Sequence, residues 1–142
     1  MREIRMHGRF GQPVGKLATA VAKHALEQGK HVQVFNSFAA FRPGGPTFAV
    51  VRLDDRPIRR RSVSNATADI VIVLDNSLFA ATDVTKGLRA GGTVMALGVD
   101  GSVLGGRAGD FAFVALDGYI RGRGLSEIEQ GIINSLASQQ VY

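Results

Sequence analysis

Over residues 3–7 apolar and polar positions alternate, with Ile4 and Met6 on one face, which predicts a short strand. It runs into the glycine-rich stretch Gly8-Arg9-Phe10-Gly11-Gln12-Pro13, a loop. From Val14 the period changes: Val14, Leu17, Ala18, Val21, Ala22, Ala25 and Leu26 fall three and four apart, the spacing of one helical face. Pro13 suits the first helical position, where a missing N–H leaves nothing unsatisfied, and Gly29 suits a left-handed residue after the last turn. Residues 31–35 read as a second strand, completing a βαβ unit with a right-handed crossover to a parallel neighbour as the expected connection.

Residues 36–46 hold two prolines and two glycines and predict a loop long enough to be functional. Residues 47–53 and 57–62, joined by Asp54-Asp55-Arg56, predict an antiparallel hairpin at a sheet edge. The β-branched run Asp69-Ile70-Val71-Ile72-Val73-Leu74 is the pattern of a central strand buried on both faces. Asp75-Asn76-Ser77 can cap a helix over residues 78–89, and Gly91-Gly92 turn the chain into a strand over residues 93–97. A glycine-rich loop over residues 98–109 and an apolar strand over residues 111–116 follow. Ser126 and Glu129 have the spacing of a capping box, and Ile128, Ile132, Ile133 and Leu136 form one apolar face behind it. The expected fold is α/β, a three-layer Rossmann-like domain with a mostly parallel sheet and an antiparallel hairpin.

Composition narrows the chemistry. At 142 residues, 45% apolar, the chain is expected to form one domain over residues 1–142 with its own core. It has no cysteine, so it supplies no thiolate nucleophile, disulfide or iron–sulfur ligand. The apolar runs are too short to span a bilayer and Met1 leads into a charged segment, so no membrane is expected and the cytoplasm is the expected compartment. A net charge of +5 favours anionic partners in general.

The loop after the first strand is where doubly wound folds bind phosphate, but its spacing is not that of a nucleotide fingerprint. The first, third and sixth places from Gly8 hold Gly8, Phe10 and Pro13, and a P-loop fails at Phe10 and at Leu17, where a magnesium-binding hydroxyl would stand. A tight strand-to-helix turn and a loop facing a site completed by another chain both remain open. Arg52, Arg56, Arg59, Arg60 and Arg61 form the densest charge in the chain. They read either as a solvated edge hairpin protected by charge or as a docking surface for an acidic subunit or phosphate-bearing ligand. Nucleic acid is not expected, because neither a reading helix nor an aromatic platform accompanies them. His7, His24 and His31 lack metal spacing, and His24 lies beside the helical apolar face. Asp75 stands either at a ligand-binding strand end or as a helix cap; Ser37 has no catalytic neighbours, and no nucleophile elbow occurs.

The order of motifs is more specific than any one of them. His7-Gly8-Arg9-Phe10-Gly11-Gln12, Phe35-Asn36-Ser37-Phe38 with Arg42-Pro43-Gly44-Gly45-Pro46, the stretch from Val51 to Ser62, Asp69 to Asp75, and Leu88-Arg89-Ala90-Gly91-Gly92-Thr93 occur in collinear order. Over about residues 3–97 the chain resembles the gamma subunit, or gamma domain, of the 2-oxoacid:ferredoxin oxidoreductases. Residues 124–136 resemble that family's closing helix, and the chain is shorter than a usual gamma subunit, mostly after Leu97. Phe10 and Pro13 stand where the family signature has glycines, Asn36 where it has proline, Ala39 where it has glycine, and Phe41-Arg42-Pro43 at its acidic and double-arginine position.

The resemblance implies a non-catalytic subunit of a complex that converts a 2-oxo acid and coenzyme A to acyl-CoA and carbon dioxide, reducing ferredoxin or another acceptor. Thiamine diphosphate with magnesium and [4Fe-4S] clusters would sit in alpha, beta and ferredoxin-like partners, with none bound by this chain alone. It further implies that Gly8, Arg9, Gly11, Gln12, Ser37 and Arg42 lie on loops facing a shared coenzyme A region, where Arg9 and Arg42 would pair with phosphate oxygens and Gln12 would donate a hydrogen bond. The alternative reading is a stand-alone α/β module that binds a nucleotide or a small anion.

Overall fold

The computed structural model describes residues 2–9, 12–36, 46–58, 68–81, 83–107, 109–120, 122, 124–139 and 141–142. Six strands form one mixed sheet: β1 (Arg2–Arg9), β2 (His31–Asn36), β3 (Pro46–Asp54), β4 (Ala68–Val73), β5 (Leu88–Ala96) and β6 (Ala112–Ala115), in the order β2-β3-β1-β4-β5-β6. β1, β4, β5 and β6 are mutually parallel neighbours, and β3 runs antiparallel to both β1 and β2. The α/β class expected from the sequence is the observed one.

Helix α1 (Val14–Glu27) buries Val14, Leu17, Ala18, Val21, Ala22 and Ala25 against β1, β2 and β3, with Pro13 as its N-cap. Leu26, predicted on that face, is 56% exposed: at about 100° per residue it falls past the edge of the stripe set by Leu17, Val21 and Ala25. Gly29 takes a φ of +84°, and the N–H groups of Gly29 and Lys30 donate to the carbonyls of Leu26 and Ala25, closing the helix in a Schellman motif. Helix α3 (Leu125–Ser138) packs on the same side, with Ile132 and Leu136 in the core beside Met95 and Leu116. Its N-cap is Gly124 rather than Ser126. The helix starts earlier than the capping-box spacing implies, so Ser126 lies inside the first turn, where its hydroxyl donates to Glu127.

The other face of β4 and β5 is covered by Leu78 and Phe79 of the short helix α2 (Leu78–Ala81), by Val84, and by Val103 and Leu104 of a 3₁₀ segment (Gly101–Arg107). The helix predicted over residues 78–89 is thus four residues long. Asp83 accepts hydrogen bonds from the Thr85 amide and hydroxyl in a turn, and β5 already begins at Leu88. β4 pairs Ala68 with Leu88 and then Ile70 with Thr93, so Gly91 and Gly92 sit in an irregularity inside β5 rather than before it.

The predicted edge hairpin is corrected. β3 lies between β2 and β1, leaving β2 as the edge, and β1 and β2 run in the same direction without pairing. Pro57 and Ile58 are not in a strand; residues 59–62 lie outside the described residues. The physical reason is burial on both sides of β3: Ala49, Val51 and Leu53 face α1, while Val50 and Arg52 on the opposite face are also fully buried. Arg52 therefore does not belong to a solvated charge cluster. Arg56 is exposed, and Arg59, Arg60 and Arg61 lie outside the described residues.

Candidate functional site

Strand direction brings several loops to one edge. β1, β4, β5 and β6 all end there, and the Arg9–Pro46 pair places the end of β1 beside the start of β3. β2 runs with β1, so the strands flanking residues 37–45 also meet this edge. After β1 the chain passes to α1 on one face, and after the adjacent β4 it passes to α2 on the other. Neighbouring strands whose connections leave on opposite faces make the topological switch point where open α/β sheets bind ligands.

The loop after β1 is braced by its own residues. The Arg9 amide donates to Gln12 Oε1 at 2.8 Å and the Gln12 amide donates to the Arg9 carbonyl at 2.9 Å. Gly8 is buried, and a Cβ there would stand 2.4 Å from Val14 Cγ2 and 3.0 Å from Gln12 Oε1, so only glycine lets α1 start this close to β1. Across the switch point, the Leu74 amide donates to the His7 carbonyl at 2.8 Å, carrying the β1–β4 pairing to the start of the second loop.

That second loop presents Asp75 and Ser77. Asp75 Oδ1 accepts from the Ser77 amide at 3.0 Å and from the Ser77 hydroxyl at 2.5 Å. Asp75 Oδ2 lies 3.4 Å from Gln12 Nε2, which donates to it, and 3.8 Å from Arg9 Nε. Arg9 Nε donates to Ser77 Oγ at 2.9 Å. The Ser77 hydroxyl, then its amide, and then the Arg9 charge hold the Asp75 carboxyl below the usual carboxylate range. Asp75 thus stands at the end of β4 and at the entry to α2, where the Leu78 amide donates to its carbonyl at 3.1 Å.

Of the residues proposed from sequence, Gly8, Arg9 and Gln12 come together at this edge with Asp75 and Ser77. Gly11, Ser37 and Arg42 lie outside the described residues. Ser77 carries no sequence signal beyond its place in a capping triplet. Its partnership with Arg9 spans 68 positions and leaves no local pattern. An open cavity of about 690 Å³ follows the same edge past β5 and β6, lined by Gly98, Val99, Asp100, Ser102, Val103 and Asp117.

Behind the site, on the sheet face away from α1, His7 lies beside Phe48 with ring centroids 6.0 Å apart. Its Nε2 is buried with no hydrogen-bond partner among the described residues, and burial, then the Arg5 charge, pull its pKa down to about 4, so the imidazole is neutral at pH 7. Among the described residues no three His, Asp or Glu side chains gather as metal ligands, and no helix is long and apolar enough to cross a membrane.

A protein-family profile described as pyruvate ferredoxin/flavodoxin oxidoreductase matches residues 3–108. The pyruvate/ketoisovalerate oxidoreductases common subunit gamma of Thermococcus kodakarensis is 45% identical over 95 residues, covering 67% of this chain and 51% of that protein. The pyruvate synthase subunit PorC of Methanothermobacter thermautotrophicus is 45% identical over 107 residues, covering 75% of this chain and 58% of that one. The chain therefore spans about half the length of these curated relatives. Among solved structures, the pyruvate oxidoreductase subunit PORC of Thermotoga maritima superposes with a TM-score of 0.64 at 30% identity, over 94% of this chain and 70% of that one.

Proposed function

The chain belongs to the pyruvate ferredoxin/flavodoxin oxidoreductase family, and from that premise we propose that it is the gamma subunit of a 2-oxoacid oxidoreductase complex in the cytoplasm. In this reading residues 1–142 form one gamma-type α/β domain that assembles with alpha, beta and ferredoxin-like partners. The complex takes a 2-oxo acid and coenzyme A to acyl-CoA and carbon dioxide and passes the electrons to ferredoxin or another acceptor.

In this reading the partners hold the cofactors. The absence of cysteine, the usual ligand of a [4Fe-4S] cluster, supports this. Thiamine diphosphate supplies the electron sink for decarboxylation when bound. The residues here fit a different task, holding the phosphate-bearing part of coenzyme A. A partly exposed Arg9 guanidinium at the switch point can pair with phosphate oxygens, Gln12 braces the β1 end that carries it and can donate from Nε2, and Arg42 is proposed to add a second guanidinium.

The observation that carries this reading is the convergence of Gly8, Arg9 and Gln12 on the β1/β4 edge, in a chain whose relatives are gamma and PorC subunits. Anaerobic purification of the chain from its source, with mass spectrometry of co-eluting chains and assays for iron, sulfide and thiamine, tests it. A large assembly holding all three is expected. A lone 15.1 kDa species whose melting temperature rises with nucleotide overturns it in favour of the stand-alone binding module.

A further inference from the structure

We propose that β6 and the cavity at its carboxyl end form a docking surface for an extended segment of a partner subunit, an apolar stretch with a lysine or arginine beside it. The inference rests on the reading of the chain as a subunit of a complex. The two edges of the sheet are finished differently. At β2, Gln33 Nε2 donates to the Ile58 carbonyl at 3.3 Å and Lys30 is ion-paired with Asp55, so that edge carries the charge and the cover that discourage further pairing. β6 has neither. Its residues, Ala112, Phe113, Val114 and Ala115, are all apolar, without the lysine, proline or bulge that blunts an exposed edge. β5 pairs with one side of β6, and among the described residues no strand pairs with the other. Both faces of the strand pack inside the chain, Phe113 with the cluster around Leu104 and Val114 with the cluster around Leu116 and Leu136. What remains is the outer row of backbone N–H and C=O groups, which an incoming strand satisfies.

Chain direction adds a crevice to this edge. After β5 the chain passes to Val103 and Leu104 on the face away from α1, and after β6 it passes to Leu116 and α3 on the α1 face. The ends of β5 and β6 are therefore a second place where neighbouring connections part, the geometry that opens a binding crevice. The cavity of about 690 Å³ lies there, and its lining includes Asp100 and Asp117 but no basic side chain among the described residues. Asp117 accepts the Gly98 amide at 3.1 Å, and Asp100 accepts the Ser102 amide at 2.9 Å and the Ser102 hydroxyl. Both carboxylates are thus fixed in place, and among the described residues neither is ion-paired. On a chain of net charge +5 this acidic end of an apolar edge is complementary to a cation brought from outside. A second copy of this chain is the poorer occupant, because an antiparallel β6–β6 pair centred on Phe113 and Val114 brings Asp110 of one copy opposite Asp117 of the other.

The test compares hydrogen exchange, read by mass spectrometry, in the isolated chain and in the assembled complex, each with the wild-type chain and with D100N/D117N. Asparagine keeps an acceptor for the Ser102 and Gly98 amides, so the turns are expected to survive the loss of charge. The peptide covering Ala112–Ala115 is expected to exchange about tenfold or more slowly in the complex. The Kd for release of the chain from the complex on dilution is expected to rise about three- to tenfold in D100N/D117N, the range for one or two ion pairs, and to depend less on salt. If the complex assembles and β6 exchanges as fast as in the isolated chain, docking at this edge is overturned while the subunit reading stands. If β6 is protected and D100N/D117N is held as tightly as the wild type, the basic anchor is overturned. Protection that appears in the isolated chain as its concentration rises, with a doubled mass, makes the occupant a second copy and overturns the partner segment. If the chain is recovered from its source without partners, the docking surface and the subunit reading both fall.

Discussion

Arg52 Nε lies 2.9 Å from Glu3 Oε1 across a register pair of β3 and β1, with both residues closed to solvent. Arg5 Nε approaches the other carboxylate oxygen at 3.1 Å, and the Arg52 guanidinium carbon stands 5.1 Å from the centre of the Phe35 ring. This cluster joins β1, β3 and β2 on the face away from α1. It uses an arginine that in sequence belongs to the densest basic stretch.

Removing one member of such a pair strands a buried charge, whereas removing both does not. R52M is expected to cost about 3 kcal/mol, near the low end of the range for a broken buried pair because Arg5 still meets Glu3. The double variant E3M/R52M should unfold at a higher urea concentration than R52M alone. A double variant no more stable than the single one would show that the stranded Glu3 carboxylate is not what destabilises R52M.

His7 predicts an acid limb of stability. Its pKa is about 4 in the fold against 6.5 in the unfolded chain, so between these values the unfolded state binds more protons. Its contribution is complete above pH 6.5 and is lost as pH falls towards 4, about 3 kcal/mol in all. Asp75, also depressed, acts lower: its contribution is lost only as pH falls below 3.8. Urea midpoints measured from pH 7 to pH 4 should fall for the wild type and fall much less for H7L.

Gly131 sits in the interior of α3, where alanine ordinarily stabilises a helix by about 1 kcal/mol. Here a Cβ would lie 2.8 Å from the Tyr119 carbonyl oxygen and 2.4 Å from Ile120 Cγ1. G131A should therefore destabilise by about 1–3 kcal/mol, as overpacking does. A rise in melting temperature would show that α3 can shift to make room.

Asp69 supplies an acceptor where the β4–β5 register breaks. Its Oδ2 accepts the Glu3 amide at 2.9 Å and its Oδ1 accepts Arg89 Nε at 2.7 Å. D69A strands the Glu3 amide and is expected to cost about 1–3 kcal/mol, with D69N costing less because it keeps an acceptor. Hydrogen exchange at the Glu3 amide should accelerate in D69A and stay protected in D69N.

The chain itself determined the elements whose signal is local. The stripe from Val14 to Ala25 is a helix because residues three and four apart share a face, and the apolar run of β4 is central because both of its faces are buried. The ordered motifs from His7 to Thr93 marked the family and placed Gly8, Arg9 and Gln12 at one strand-to-helix turn, although β1 continues through Gly8 and Arg9, which the sequence reading gave to the loop. Tertiary structure alone decided that β3 enters between β2 and β1, that Arg52 is buried against Glu3, and that Ser77 holds Arg9. The reason is that a period of two or 3.6 specifies which face a side chain takes but not which strand lies beside it. Neighbours are chosen by the packing of the whole core, and partners 49 or 68 positions apart meet only after that choice is made.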